Sequence, residues 1–334
     1  MGVVPGSRLA CPAMLAVTCA RISPDDPLAG LAVGDHPDPD PPPGWEVVEV
    51  RAAALNHHDL WALRGVALDA DRVPMVLGSD AAGVTADGRE VVVHAVVADP
   101  DADHELLDRT TSILSEVHPG TQAERVAVPT RSLLPKPDGL SFAEAACLPT
   151  AYLTAYRMLF TRAGLRPGDT VLVQGAGGGV ATASVLLGRA AGLRVWVTSR
   201  DQAKGRRAVE LGAEEAFAAG ERLPRRVDAV VETVGEATFG HSLRAVRSGG
   251  VVVVSGATTG PNPPAELHRV FARQISVVGS TMGTRAELRG LCELMAVTGA
   301  APVIDAQVPL ERAREAYERL AGGEVHGKLV LTVD

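Results

Sequence analysis

VLVQGAGGGVATA, residues Val171–Ala183, carries the strongest structural signal in this sequence. An apolar stretch over Thr170–Gln174 predicts a short buried strand, and glycines follow it at once. Glycine has no Cβ, so the backbone can turn tightly there and approach a bound group closely. The next residues can begin a helix whose free N–H groups face the turn. Strand, tight turn and helix N-terminus together predict a pyrophosphate site formed by Gly175, Gly177, Gly178, Gly179 and Val180.

Strands and helices alternate on the C-terminal side of this turn. The predicted elements are a strand at Arg194–Thr198, a helix at Gln202–Leu211, a strand at Val227–Val231, a helix at Thr238–Val246, and strands at Val251–Ser255 and Ile275–Val278. Strands separated by helices of about ten residues are typical of βαβ units and a parallel sheet. This middle part of the chain therefore predicts a doubly wound Rossmann domain of the α/β class.

The flanking parts have a different pattern. A proline-rich segment at Asp35–Gly44 predicts a surface turn, and the alternating segment Trp45–Ala52 predicts a half-buried strand. Short strands separated by turns continue to about residue 150, with a strand expected at Thr121–Val128. The C-terminal part predicts a helix at Ala286–Val297, a strand at Val303–Val308, a helix at Leu310–Leu320 and a strand at Lys328–Val333.

Composition excludes several classes of function. The chain has 334 residues, enough for two domains, and a formal net charge of −8 without a long basic run, so nucleic acid is not an expected partner. The cysteines form no CxxC pair, which favours a reducing cytoplasm, and no apolar run is long enough to span a membrane. Residues 1–20 are interpreted as a loose leader before a first strand rather than as a signal peptide.

Eight segments, taken in order, resemble the medium-chain dehydrogenase/reductase superfamily, in its quinone oxidoreductase-like branch. They are AALNHHDLWALRG (53–65), VLGSDAAGVT (76–85), REVVV (89–93), AACLPTAYLTAY (145–156), PGDTVLVQGAGGGVA (167–181), VDAVVETVG (227–235), GGVVVVSG (249–256) and HGKLVL (326–331). The resemblance implies a Rossmann domain at 151–280. It also implies a β-rich, partly open barrel-like (GroES-like) catalytic domain made of residues 14–150 and 281–334, with the active site between the two.

Zinc-binding members of the superfamily hold a catalytic zinc with two cysteines and a histidine. The corresponding positions here are Asn56, Ser79 and Thr150, none of which offers the thiolate or imidazole that zinc prefers. The stretch corresponding to the structural zinc lobe, residues 94–125, has no cysteine. His57 and His58 are adjacent, so on an extended segment they would point to opposite faces rather than to one ion. The sequence therefore predicts no metal.

Without a Lewis acid an alcohol is hard to oxidise, so the expected reaction is hydride transfer to an electron-poor acceptor, a quinone or an α,β-unsaturated carbonyl. Asn56 is the expected amide donor near the acceptor oxygen, and Asp59 is expected to orient Ser79 or a backbone group. Trp61 and Tyr152 are candidates for lining the substrate pocket, with core packing as the alternative. An alcohol dehydrogenase with a misaligned metal site and a non-catalytic NADPH-binding protein stay open as alternatives.

The cofactor expected is NADP(H). NAD enzymes place an acid at the end of the second Rossmann strand, but here that position is Ser199, followed by Arg200 and Lys204, which can contact a 2′-phosphate. Asp201 is contrary evidence unless it caps the next helix. The resemblance further implies a homodimer that pairs through the edge strand at Ile275–Val278.

Overall fold

A computed structural model describes residues 13–333 of the chain. Its strands are β1 (Ala13–Cys19), β2 (Leu31–Pro37), β3 (Trp45–Ala54), β4 (Met75–Val76), β5 (Asp80–Thr85), β6 (Glu90–Val93), β7 (Val96–Val97), β8 (Ser112–Ile113), β9 (Arg125–Pro129), β10 (Leu133–Pro135), β11 (Thr170–Gln174), β12 (Arg194–Ser199), β13 (Glu215–Ala218), β14 (Val227–Glu232), β15 (Val246–Val254), β16 (Ser276–Gly279), β17 (Ile304–Pro309) and β18 (Lys328–Thr332).

The helices follow the same chain order. They are α1 (His57–Leu63), α2 (Phe142–Ala145), α3 (Leu153–Tyr156), α4 (Gly179–Ala190), α5 (Gln202–Leu211), α6 (Phe239–Ala245), α7 (Leu267–Ala272), α8 (Arg285–Thr298) and α9 (Ala313–Gly322). Turns of wider π geometry at Leu148–Tyr152 and Arg157–Arg162 flank α3, so the chain is helical from 148 to 162.

The middle of the chain forms the predicted parallel sheet. Its strand order is β13-β12-β11-β14-β15-β16, and every pairing in it is parallel. The central strand β11 is buried along its whole length, as expected for a strand covered on both faces by helices. The chain runs outward from β11 to β13 and then returns to β14 on the other side. The crevice at this change of direction, at the carboxyl ends of β11 and β14, is where such sheets bind nucleotides.

The second large sheet joins the two ends of the chain. β3 pairs with β5 and β9 from the N-terminal part and with β18 from the C-terminal part, all antiparallel. β17 extends this sheet beside β18. Their core contains Leu63 of α1, Tyr317 of α9 and Leu331 of β18. The α/β fold, with a Rossmann sheet and a separate β-rich unit, is confirmed, whereas the domain limits at 150 and 280 stay predictions.

Several predicted elements have different limits. The strand expected at Thr121–Val128 begins only at Arg125, because Thr121 and Gln122 bond to the loop after β4. β13 was not anticipated, since its sequence EAFA has a single strongly apolar side chain, Phe217, that is buried. The strand expected near residue 14 is β1, and the leader before it lies outside the described residues.

Cys19, Cys147 and Cys292 are buried free thiols. Within residues 13–333, no helix is long and apolar enough to cross a membrane.

Candidate active site

The glycine-rich turn lies where the sequence predicts it, between β11 and α4. Gly175 directly follows β11 and has φ +90°, a backbone conformation that glycine adopts readily and other residues disfavour. A Cβ on Gly178, the residue before α4, would meet nothing within 4 Å, so space is open beside this turn. A Cβ on Gly177 or Gly179 would lie 2.7 Å from Lys204 Cδ or 2.9 Å from Lys328 Cδ, respectively. The turn and the N-terminus of α4 thus provide free N–H groups, and two lysine side chains pass close by.

A cleft of about 340 Å³ opens beside this turn, between the two β-sheet units. Its walls include residues from the N-terminus of α1, from the glycine-rich turn and from the C-terminal strand: Asn56, His57, His58, Trp61, Thr150, Gly178, Gly179, Val180, Lys204 and Lys328. Another cavity, of about 570 Å³, is lined largely by arginines from the segment before β14 and from α6, and it contains no residue of the glycine-rich turn. The cleft is therefore the candidate active site.

The three positions that correspond to zinc ligands meet at the cleft. Ser79 Oγ lies 3.0 Å from Thr150 Oγ1, and Asn56 Nδ2 lies 3.4 Å from Ser79 Oγ. Ser79 precedes β5 and is buried, whereas Thr150 stands on the helical segment after α2 and is half-buried. The three residues named by correspondence in the sequence therefore lie together, as a hydrogen-bonded cluster of hydroxyl and amide groups.

Lys328 completes this cluster and was missed as a site residue in the sequence. It is the first residue of β18, 3% exposed, and its Nζ donates to Leu55 O (2.7 Å), Asn56 Oδ1 (2.6 Å) and Asp80 Oδ2 (3.0 Å). A buried ammonium is stable only when paired and fully hydrogen-bonded, and all three of its protons are used here. The available signal was a single lysine at the start of the apolar strand KLVLT.

The expected role of Asn56 needs correction. Its Nδ2 donates to Asp80 Oδ2 at 2.9 Å and also lies near Ser79 Oγ, while its Oδ1 accepts from Lys328. The amide is consequently held within the cluster and has no free donor to offer a substrate oxygen. Asn56 does line the cleft, but its amide group is hydrogen-bonded to Lys328, Asp80 and Ser79.

Asp59 lies behind the cleft and is not among its lining residues. It is fully buried at the third residue of α1, where its Oδ2 accepts from the backbone N–H of Asn56 (2.8 Å) and from Gln122 Nε2 (3.1 Å). Asn56 and Asp59 form a capping box that fixes the start of α1. Burial raises the pKa of Asp59 to about 6, against the opposing effect of the Asn56 N–H. The expected contact to a backbone group exists, whereas the contact to Ser79 does not.

The two adjacent histidines begin helix α1 rather than lie on the expected extended segment, and both line the cleft with different surroundings. His57 is exposed at the cleft, and His58 is half-buried with Nε2 3.0 Å from Glu116 Oε1. Burial opposes protonation of His58, but the hydrogen bond to Glu116 and the nearby carboxylates outweigh it and raise its pKa. Glu116 was not singled out in the sequence, since nothing there places its loop next to α1.

Of the two aromatic candidates, only Trp61 lines the cleft. For Tyr152 the alternative of core packing holds. Tyr152 is fully buried in the core of the helical segment, and its hydroxyl accepts from the backbone N–H of Val303 at 2.8 Å. A buried tyrosine needs a partner for its hydroxyl, and this one bonds to the loop before β17 instead of facing a ligand.

The end of β12 carries the groups expected at a 2′-phosphate. Ser199 is half-buried, and Arg200 is exposed beside a groove of about 770 Å³. Asp201 caps α5, because its carboxylate accepts from the N–H of Ala203 at 2.7 Å. Lys204 lines the cleft, and its Nζ donates to Gly323 O at 2.7 Å. Because Asp201 caps α5, it does not count as evidence against NADP(H).

The donor set at the cleft does not fit a catalytic zinc. Among residues 13–333, no group of three or more His, Cys, Asp or Glu side chains is placed to hold a metal ion. The cluster offers one carboxylate, Asp80, which is already paired with the Lys328 ammonium at 3.0 Å. A dication at this point would be repelled by that ammonium and would lack the thiolate and imidazole ligands that bind zinc.

Comparisons with known proteins identify the family. Residues 42–138 match the model "Alcohol dehydrogenase GroES-like domain", and residues 179–297 match "Zinc-binding dehydrogenase". An acryloyl-coenzyme A reductase of Metallosphaera sedula is 30% identical over 91% of this chain and 96% of its own. A quinone oxidoreductase of Mus musculus is 29% identical over 85% of this chain and 88% of its own. A solved structure called an NAD-dependent alcohol dehydrogenase superposes with a TM-score of 0.89 at 34% identity, covering 96% of this chain and 100% of the other. The chain therefore belongs to the medium-chain dehydrogenase/reductase superfamily of oxidoreductases.

Proposed function

We propose that this protein is an NADPH-dependent reductase that delivers hydride to a quinone or to an α,β-unsaturated carbonyl without zinc. The observation that carries the proposal is the buried Lys328 ammonium, which bonds to Asn56 and Asp80 next to Ser79 and Thr150. An amide and two hydroxyl groups stand at the positions that correspond to the metal ligands of zinc-dependent relatives, and a fixed positive charge lies next to them.

Alcohol oxidation needs a group that stabilises an alkoxide, and a zinc ion supplies it in zinc-dependent enzymes. The cleft of this chain offers hydrogen-bond donors instead. Such donors are sufficient when the acceptor is already electrophilic, as a quinone or an enone is. Two relatives, one called an acryloyl-coenzyme A reductase and one a quinone oxidoreductase, agree with this class of acceptor.

The choice of NADPH rests on the segment that follows β12. Ser199 stands where an NAD enzyme needs an acid, and Asp201 is engaged as the cap of α5. Arg200 and Lys204 can then contact a 2′-phosphate, Arg200 with its planar fork and Lys204 as a point charge. One solved relative is called NAD-dependent, so the preference must come from these residues rather than from the fold.

The bound nicotinamide supplies the hydride, and the residues of this chain hold the reactants. The glycine-rich turn and the N-terminus of α4 bind the pyrophosphate. Asp59 fixes the start of α1, and this helix presents Asn56, His58 and Trp61 to the cleft.

A matched set of substrates tests this function. We expect the purified protein to oxidise NADPH rapidly with menadione and cyclohexenone, slowly with cyclohexanone, and to show little oxidation of cyclohexanol with NADP⁺. The measurement is the change in NADPH absorbance under steady-state conditions. Robust oxidation of cyclohexanol or ethanol would contradict the proposal in favour of an alcohol dehydrogenase. Absence of turnover with every compound, together with tight NADPH binding, would favour a non-catalytic binding protein.

A further inference from the structure

The polar groups beneath the cleft form one connected chain, which we call the donor chain: Lys328, Asn56, Ser79 and Thr150. Three of its four members are buried, with exposed fractions of 3% for Lys328, 8% for Asn56 and 1% for Ser79. Thr150 is half-buried, the most exposed of the four, and lines the cleft together with Asn56 and Lys328, whereas Ser79 does not. The donor chain therefore ends on a hydroxyl in the cleft wall.

The direction of the hydrogen bonds follows from the lysine. An ammonium only donates, so the 2.6 Å contact from Lys328 Nζ fixes Oδ1 of Asn56 as the acceptor. The orientation of the Asn56 amide is thereby settled, and its Nδ2 must face Asp80 and Ser79. The same conclusion follows from Asp80, whose Oδ2 accepts from both Lys328 and Asn56.

The two hydroxyls continue this chain. Ser79 Oγ lies 3.4 Å from Asn56 Nδ2 and 3.0 Å from Thr150 Oγ1, and in the second contact either hydroxyl can donate. In the arrangement in which Ser79 donates, Thr150 accepts and its own O–H is free to turn toward the cleft. A hydroxyl that accepts one hydrogen bond becomes a stronger donor in the other, because successive bonds polarise one another.

We propose that the Thr150 hydroxyl, oriented by Lys328, Asn56 and Ser79, is the hydrogen-bond donor to the oxygen of the acceptor. This inference rests on the proposed reductase function and replaces the role first expected of the Asn56 amide. Thr150 is then a catalytic residue, whereas Ser79, Asn56 and Lys328 position it.

The reaction balances with this assignment. For an enone, hydride from NADPH forms a C–H bond at the β-carbon, and the electron pair of the C=C bond moves so that negative charge develops on oxygen. Thr150 donates to this oxygen and keeps its proton. A proton from water then adds to the α-carbon, which gives the saturated carbonyl compound, NADP⁺ and hydroxide. Stabilisation of the developing charge by a fixed donor accelerates this step.

The test compares Thr150→Val, which removes the hydroxyl at similar size, with Thr150→Ser, which keeps it. Loss of one such donor lowers kcat by about a hundredfold or more, so we expect that loss for Thr150→Val and near-wild-type kcat for Thr150→Ser. Ser79→Ala should fall between them, because it disorients the donor without removing it. Thr298→Val, at the exposed end of α8, is the control: it makes the same Thr-to-Val change away from the cleft.

Two further readouts separate this role from a structural one. NADPH affinity, measured by fluorescence titration, should be unchanged in Thr150→Val. The infrared carbonyl stretch of cyclohexenone bound with NADP⁺ should lie at lower frequency in the wild type and in Thr150→Ser than in Thr150→Val. Wild-type kcat in a folded Thr150→Val variant, or an unshifted carbonyl band, would overturn the inference while leaving the reductase function intact. Failure of the wild type to reduce any quinone or enone would instead overturn the function and the inference together.

Discussion

At the scale of single residues, one lysine accounts for much of the proposed chemistry. Lys328 Nζ uses all of its protons on Leu55, Asn56 and Asp80, and so stabilises a cluster that would otherwise contain an unpaired buried carboxylate. Sequence reasoning identified Asn56, Ser79 and Thr150 by correspondence but assigned the free donor to Asn56. Whether an amide is free depends on its neighbours in space, and Lys328 lies 272 positions away along the chain.

Cofactor choice is also a residue-scale prediction. A charge-assisted hydrogen bond contributes about 1.5–3 kcal/mol, so Arg200→Ala should weaken NADPH binding about ten- to a hundredfold. NADH binding should stay nearly unchanged, since NADH has no 2′-phosphate. The measurement is the dissociation constant of each nucleotide by fluorescence titration.

A matched control is Arg166→Ala, because Arg166 is exposed in the same domain but precedes β11, at the opposite end of the strand from the glycine-rich turn. Equal losses for NADPH and NADH in Arg200→Ala would mean that this arginine does not read the 2′-phosphate. A wild-type preference for NADH would exclude the NADPH assignment altogether.

At the scale of elements, periodicity and glycine placement predicted most of the Rossmann strands and helices. β11, α4 and β12 lie where the sequence placed them, because apolar strands and a glycine turn leave few alternatives. The sequence predicted the surroundings of an element less well where tertiary contacts determine them. Tyr152 was a pocket candidate, yet the helical segment that carries it is packed against the loop before β17, which no local pattern reveals.

The edge strand β16 carries the prediction of a homodimer. Among the described residues, β16 pairs with β15 on one side only, and exposed apolar side chains lie on it and on the preceding helix: Val277 (46% exposed), Leu267 (70%) and Phe271 (68%). An unpaired edge with apolar neighbours favours pairing with a second copy. We expect light scattering at micromolar concentration to give twice the 34.7 kDa of one chain.

Val277→Asp should shift this equilibrium toward monomer, because it places a charge at the proposed contact. Val297→Asp is the matched control, since Val297 is 86% exposed at the end of α8, away from the sheet edge. A monomeric wild type, or equal dissociation in both variants, would exclude this interface.

At the scale of the whole molecule, the site forms because the N-terminal and C-terminal parts of the chain pair in one sheet. β18, near the C-terminus, pairs with β3, and this pairing delivers Lys328 to the N-terminus of α1. Motif order in the sequence predicted that the C-terminal segment completes the N-terminal unit, since HGKLVL matched the family in the expected place. It could not predict that the lysine of this motif would bond to Asn56 and Asp80, because register between distant strands fixes that contact.

The central claim is that the cleft works with a hydrogen-bonded cluster in place of a metal. The measurement that tests it most directly is elemental analysis of the purified protein, combined with NADPH-dependent reduction of menadione by the same sample before and after dialysis against a chelator. We predict substoichiometric zinc and unchanged activity after dialysis, because the Lys328 ammonium and the missing thiolate and imidazole ligands disfavour the ion. One tightly bound zinc per chain, with activity lost on its removal and restored on its return, would contradict the account.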